Sequence, residues 1–163
     1  MDTSGREELI AGAVRMERVF LGALLAGATL FAMVAIAARS GGAFAAPNVI
    51  LVVVACVVGG TQAVLSFVVP PMHINRQRRS LAESPAGVSD ADLIKIHNGS
   101  VIFSAALLEG AMFFSLICFI VTGEWWLLLL VAFFAGLMLR KWPSAERLET
   151  WLVEQRDLIE RTF

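Results

Sequence analysis

Hydrophobic and polar positions divide the chain into four long apolar runs separated by short polar segments. The apolar runs cover residues 19–38, 49–69, 99–122 and 125–139, and charged residues gather at the chain ends and between the second and third runs. A helix needs roughly 20 apolar residues to cross the hydrocarbon core of a bilayer. The pattern therefore predicts an all-α integral membrane protein, a single domain over residues 1–163, with four spans forming a four-helix bundle of two hairpins.

Composition supports a membrane protein over a soluble one. Hydrophobic residues make up 58% of the chain and charged residues 17%, and the mean hydropathy is +0.75. A soluble domain of this length is normally less apolar. The formal net charge is −1, and no aromatic residues alternate with the basic cluster Arg76, Arg78 and Arg79, which argues against nucleic-acid binding. We therefore expect the lipid bilayer as the main partner.

Basic residues predict the orientation of the chain. Lysine and arginine are concentrated in the N-terminal segment, in residues 70–90 and in the tail, whereas the loop after Thr122 has none. The positive-inside rule assigns both termini and residues 70–90 to the cytoplasm. Residues 70–90 are rich in Pro, Gly, Ser and Arg without a sustained period, which predicts a cytoplasmic loop. We expect a multi-pass protein of a bacterial inner membrane.

The polar segments carry helix signals of their own. Ser4 and Glu7 have capping-box spacing, as do Ser89 and Asp92 with an aspartate in the acidic position, so we predict a helix start at each. Residues 143–163 are predicted to form an amphipathic cytoplasmic helix, because apolar positions recur at steps of three and four. This tail helix would lie on the membrane surface or pack on a partner. Its predicted face consists of Leu148, Trp151, Leu152, Gln155, Leu158 and Ile159.

Small residues recur at matched places in the first and third spans. Ala23 and Gly27 in the first span correspond to Ala106 and Gly110 in the third, each pair spaced by four. Such spacing allows helix backbones to approach closely in lipid. We therefore predict helix packing at these four positions, two hairpins that resemble a duplication, and a homo-oligomer or larger membrane complex.

One acid interrupts the third span. Glu109 occupies the position that Ala26 holds in the first span, so packing alone would have accepted alanine there. A charged residue at the centre of a span costs about 2.5–3.5 kcal/mol on insertion scales. Gln62 has a matching depth, because each residue lies 13 positions from the predicted outer end of its span. Thr61 and Ser66 lie near that depth, and the four residues are predicted to bind a proton or a monovalent cation. Alternatively, Glu109 stays protonated and hydrogen-bonds another helix.

Other chemistry is scarce in the sequence. His97 and Asn98 precede the third span below Glu109, so we consider them as an access route for protons. Cys56 and Cys118 lie within spans and have no metal or redox spacing. The sequence contains no nucleophile–base set, phosphate loop or cofactor motif. We therefore expect no metal site, no cofactor and no enzymatic activity.

A family resemblance enters at the third span. The segment from Ala106 to Ile117, with Glu109 followed by a small residue, aromatic residues and Ser115, resembles the carboxylate helix of the c subunits of rotary ATPases, the proteolipids. In that family the glutamate binds the carried proton or sodium ion, and sodium-dependent members have a glutamine on the preceding helix. The resemblance implies an ion-binding role for Glu109 and for Gln62. The second span lacks the family's glycine repeat, and the acid lies on the third span, whereas four-span proteolipids carry it on the last.

Two functional hypotheses follow from the sequence. In the first, the chain is an oligomeric integral membrane protein that handles protons or cations through Glu109. In the second, it is a non-catalytic membrane scaffold or accessory subunit that binds other membrane chains, and Glu109 only fixes the helix orientation. The acid inside the third span favours the first hypothesis.

Overall fold

A computed structural model describes residues 3–42, 48–82 and 88–162, and this part of the chain is all-α. The all-α prediction is confirmed for these residues. The five helices are α1 (Thr3–Ser40), α2 (Val49–Ala82), α3 (Asp90–Thr122), α4 (Leu127–Arg140) and α5 (Ala145–Thr162).

Three of the helices, α1, α2 and α3, are long and apolar enough to cross a membrane. The shorter α4 joins α5 through a bend of 66°, and the count rises to four if this bent pair is taken as one span. The predicted apolar runs lie within α1, α2 and α3, whereas the run 125–139 begins two residues before α4. At 1.5 Å per residue, each of α1 to α3 is longer than the roughly 30 Å thickness of a hydrocarbon core.

The predicted loop over residues 70–90 needs correction. Helix α2 continues through Pro70 and Pro71 to Ala82, and residues 83–87 of the predicted loop lie outside the described residues. Prolines inside a helix usually kink or end it, because each removes a backbone donor. The helix nevertheless continues, and side chains from other segments, Ser104 and Lys141, bond the carbonyl of Ser66 that Pro70 leaves free.

Local signals explain both ends of α3. Ser89 caps the first turn, since its hydroxyl accepts from Asp92 N at 3.2 Å, as the capping spacing predicts. The Ser89 hydroxyl also donates to Asp92 Oδ2 at 2.5 Å, whereas the acid of a capping box accepts from the backbone N–H of the cap residue. At the other end Gly123 has a φ of 74°, a left-handed conformation that glycine adopts readily, and its N–H bonds Phe119 O.

Helix α3 is the centre of the structure, because α1, α2, α4 and α5 all pack against it. Small side chains such as Ala105 and Ala111 are fully buried on it, which brings neighbouring helices close. On α1, a stripe at intervals of seven residues faces α3, as expected when two helices cross at a small angle. The stripe consists of the buried residues Val14, Leu21, Ala28 and Ala35.

The charged ends of the helices meet at one end of the structure, which we name the polar end: the first turns of α1 and α3, the last turns of α2, and α5. Leu148 and Leu152 of α5 are buried there against Ile10 and Leu93. The amphipathic tail therefore uses its apolar face within the chain, and four of its predicted face residues pack there: Leu148, Trp151, Leu152 and Ile159.

An ionic cluster fixes α5 at the polar end. Asp90, at the start of α3, is buried and accepts from Arg6 Nε at 3.0 Å, and Arg156 Nη2 lies 2.6 Å from its other oxygen. These two pairs join α1, α3 and α5. Arg78 of α2 adds a hydrogen bond from Nη1 to Gln155 Oε1 at 3.3 Å.

We predict that Asp90→Asn weakens the attachment of α5. The substitution removes the charge that both arginines share, but each arginine is more than one-third exposed, so solvent screens the pairs and we expect a loss of about 1–2 kcal/mol. Thermal unfolding in detergent, followed by tryptophan fluorescence, measures it. The matched control Asp157→Asn, at an exposed position on α5, should leave the midpoint unchanged. Equal midpoints for the two variants would contradict the role of Asp90.

Candidate functional site

The first part of the site is built around Pro70 of α2. Because proline has no N–H, Ser66 O, four residues earlier, lacks its usual partner in the helix. Ser104 on α3 donates from its hydroxyl to this carbonyl at 2.8 Å, and Lys141 donates from Nζ at 2.8 Å. Lys141 also donates to the Ser104 hydroxyl. We call Ser66 O, Ser104 and Lys141 the carbonyl clamp, which joins α2, α3 and the end of α4.

Lys141 brings a positive charge into this apolar part of the chain. Its Nζ lies 4.3 Å from the centre of the Phe67 ring, a cation–π contact, and its side chain is partly buried. Among the described residues, no aspartate or glutamate oxygen lies within 4.0 Å of it. The charge is therefore held by neutral oxygens and a ring rather than by a carboxylate.

The second part of the site surrounds Glu17. Its side chain is 1% exposed and follows Ile10 by seven residues on the face of α1 that packs against α3. With its amide oriented to satisfy its neighbours, Asn98 donates from its nitrogen to Glu17 Oε1 at 2.7 Å and to Ile94 O at 3.2 Å. His97 Nε2 lies 3.7 Å from Glu17 Oε1. An acid, an amide and an imidazole thus meet between two helices.

His97 links this cluster to α5. Its ring centre lies 4.7 Å from that of Trp151, with the two planes inclined at 55°. Its Nδ1 is buried and has no hydrogen-bond partner among the described residues. Imidazole can bind or release a proton at either ring nitrogen. His97 and the buried acid Glu17 are therefore two neighbouring groups that can each hold a proton.

One cavity of about 310 Å³ connects the two parts of the site. It lies at the bend between α4 and α5, and Glu17, His97, Ser104 and Lys141 all line it. Phe67, Pro70 and Trp142 supply apolar walls. The site therefore combines two acid–base groups, a cation and space for small molecules at the polar end.

Glu109 and Gln62 face different neighbours. Glu109 lies beside Gly27 of α1, where a methyl group added at Gly27 would come within 3.9 Å of Glu109 Oε1. Gln62 lies beside Gly110 of α3, and its Oε1 would be 3.2 Å from a methyl group added at Gly110. Gln62 Oε1 is buried and has no hydrogen-bond partner in the described parts of the chain. The two residues share a level, but no hydrogen bond joins their side chains.

The two hydroxyl residues of the predicted ion site lie apart from each other. Thr61 is exposed and donates to Val57 O of its own helix at 2.7 Å. Ser66 is buried and donates to Ala63 O at 2.8 Å, while its carbonyl belongs to the carbonyl clamp. Neither hydroxyl is directed to Glu109 through a hydrogen bond in the described residues.

The predicted access route ends at Glu17 in this structure. His97 and Asn98 contact Glu17, whereas Glu109 lies 12 residues further along α3 than His97, about 18 Å along the axis. Buried apolar residues fill the α1–α3 interface between those levels, including Leu21, Ala105 and Leu108. Ser100 and Ser104 are also buried on α3 between the two levels, but no hydrogen bond among the described residues extends from them to Glu109.

The four predicted packing positions have different surroundings. Ala23 and Ala106 are exposed, and Gly27 and Gly110 are partly buried against Glu109 and Gln62. Close packing on α3 uses the neighbouring small residues Ala105 and Ala111. On α3 each predicted position is adjacent to a buried alanine: Ala105 precedes Ala106, and Ala111 follows Gly110.

Sequence reasoning missed Glu17, Ser104 and Lys141. Glu17 stands between charged neighbours, Arg15 and Arg18, in a segment that reads as polar, although its seven-residue spacing from Ile10 is a readable signal. The signal for the carbonyl clamp is Pro70 inside an otherwise helical pattern. Which groups bond the freed carbonyl depends on packing between distant segments, which one sequence does not reveal.

The comparisons with known proteins do not name a relative. No family model, curated protein or solved structure matches the chain. Among the described residues there is no group of three His, Cys, Asp or Glu side chains that could hold a metal ion. Cys56 and Cys118 are free thiols.

We predict that Ser104→Ala destabilises the structure by about 1 kcal/mol, because it removes a buried donor between α3 and α2. Ser115→Ala is the matched control: that serine is equally buried on α3, but its hydroxyl donates to Ala111 O of the same helix at 2.8 Å. Reversible unfolding by a denaturing detergent compares the two. If both variants unfold at the wild-type midpoint, the carbonyl clamp does not contribute to stability.

Proposed function

We propose that the chain is an oligomeric integral membrane protein that handles protons or monovalent cations, with Glu17 as a proton-exchanging group at the polar end and Glu109 as the mid-membrane ion-binding group. In this proposal the four apolar segments form a four-helix bundle in a bacterial inner membrane. The polar end and both termini face the cytoplasm, as the distribution of basic residues predicts.

The observation that carries the proposal is the burial of Glu17 between two helices with acid–base partners. Asn98 holds one carboxyl oxygen by a hydrogen bond of 2.7 Å, and His97 Nε2 is within 3.7 Å. An ionised carboxylate is costly to remove from water without a bonded cation. If the position of Glu17 needed only a side chain that fills space, leucine would serve there. Leu21, one turn further along the same face of α1, is such a buried leucine.

Proton exchange at Glu17 is supported by its access to the cavity. Glu17 and His97 both line the 310 Å³ cavity, which has space for water. A proton that arrives from the polar end can therefore pass between solvent, His97 and the Glu17 carboxyl. General acid–base pairs exchange protons at about 2.6–3.2 Å, so His97 Nε2 must move closer to Glu17 Oε1 than the observed 3.7 Å for direct exchange.

Glu109 is proposed as the second acid on the same α1–α3 interface. Its carboxyl lies beside Gly27, where the missing side chain leaves room next to the acid. Within the described residues Glu109 has no hydrogen-bond partner, so the alternative of polar glue inside one chain has no contact to support it. The resemblance to the rotary-ATPase carboxylate helix favours a proton or sodium ion at this carboxyl, with Gln62 contributing from α2.

The proposal predicts that proton flux into liposomes depends on both acids. Purified chain is reconstituted with a pH-sensitive dye inside, and Glu17→Gln and Glu109→Gln are each expected to reduce flux at least about tenfold, because the amide cannot exchange a proton. Glu8→Gln, at an exposed acid on α1, is the matched control and should leave flux unchanged.

Assembly is measured in the same preparations by size-exclusion chromatography. Glutamine preserves size and hydrogen bonding, so both variants should elute as the wild type does. Wild-type flux in both variants would reject the proton-handling role. If the wild type itself shows neither proton nor cation flux while the assembly is intact, the scaffold hypothesis becomes the better account.

A further inference from the structure

Two cationic side chains line the cavity at the α4–α5 bend. Lys141 is partly buried there, and its Nζ bonds only the neutral oxygens of Ser66 and Ser104 among the described residues. Arg147 also lines the cavity, and its described hydrogen bond from Nη1 goes to another neutral oxygen, Arg140 O, at 3.2 Å. Two cations thus border the cavity without a carboxylate ion pair in the described parts of the chain.

Apolar side chains form another part of the lining. Phe67 and Pro70 of α2, Val101 of α3 and Trp142 after α4 line the cavity. Its volume, about 310 Å³, is at the lower end of the range for small-molecule sites. A site with a cationic wall and apolar walls fits a molecule with an anionic end and a short apolar part.

We propose that this cavity binds the anionic end of a small amphiphile, with a carboxylate or phosphate oxyanion on Lys141 and Arg147 and the apolar part against Phe67, Pro70 and Trp142. The third proton of the Lys141 ammonium is available for the oxyanion, because two are used in the carbonyl clamp. The oxyanion carries the negative charge opposite the Lys141 ammonium, which the neutral oxygens of the carbonyl clamp lack.

Glu17 lines the same cavity and sets a condition for binding. An ionised Glu17 would repel the anion, whereas a protonated one would not, and His97, Lys141 and Arg147 are the other titratable groups on the walls. This anion site does not depend on proton transport. The Glu17→Gln variant should lose proton flux but still bind the anion. The two measurements therefore distinguish a failure of this inference from a failure of the proposed function.

The test uses quenching of Trp142 fluorescence by 2-bromo-octanoate, with the full chain in phosphatidylcholine nanodiscs. We expect saturable quenching that is absent in Trp142→Phe, and an affinity about tenfold weaker in Lys141→Gln, which can still donate to the clamp. Lys141→Arg retains the charge and should keep the affinity within about threefold. Arg140→Gln, an exposed neighbour, is the matched control and should bind as the wild type does.

Two further arms identify the source of the anion. Competition by soluble octanoate, but not by neutral octanol, would assign the site to a free carboxylate. Loss of quenching when phosphatidylglycerol replaces part of the phosphatidylcholine would assign it to a lipid phosphate. Either result supports an anion site. Absence of saturable quenching in both lipid mixtures, or equal affinity for octanol and octanoate with no effect of Lys141→Gln, would overturn the inference.

Discussion

A backbone carbonyl inside an apolar helix must find a hydrogen-bond donor, and the arrangement of the polar end depends on how this chain meets that constraint. Pro70 removes the N–H that Ser66 O would accept, and Ser104 and Lys141 supply donors from α3 and from the end of α4. The clamp holds α2, α3 and α4 together at one level. The lysine that bonds the freed carbonyl also lines the cavity at the bend into α5, so this positive charge lies next to the break in the helix hydrogen bonds.

A second constraint acts on the α1–α3 interface, where two acids lie at different depths. Glu17 is bonded by Asn98 beside His97, and Glu109 lies further along, next to Gly27. Buried apolar residues separate the two levels, so the fixed packing does not form a proton wire. Ion movement between the levels would require a change in helix packing or the entry of water, and the small residues along α3 are compatible with sliding of neighbouring helices. Glu17 is thus the acid that the static structure connects to the polar end.

Much of the fold could be predicted from the sequence because helix length, hydropathy and capping are local properties. The four apolar runs, the Ser89 start of α3 and the amphipathic α5 follow from spacing alone, and the structure has helices at each. Prediction was less successful where distant segments decide the outcome. Past Pro70, the hydrogen-bond donors to the freed carbonyl of α2 come from residues more than 30 positions away. Whether the tail helix packs on its own chain, on the membrane or on a partner is decided by contacts with the distant residues Leu93 and Ile10. For the site, depth matched Gln62 to Glu109, but depth carries no information about which way each side chain faces.

The central claim is that the buried carboxyl of Glu17 exchanges a proton with the polar end. Its most direct test is solid-state NMR of the chain in bilayers, with carbon-13 in glutamate side chains and Glu17→Gln to assign the resonance. The account predicts a Glu17 carboxyl shift that changes reversibly between roughly pH 5 and 9, and that is altered when His97 is replaced by glutamine. A Glu17 resonance that stays constant across that range, in either protonation state, would contradict it.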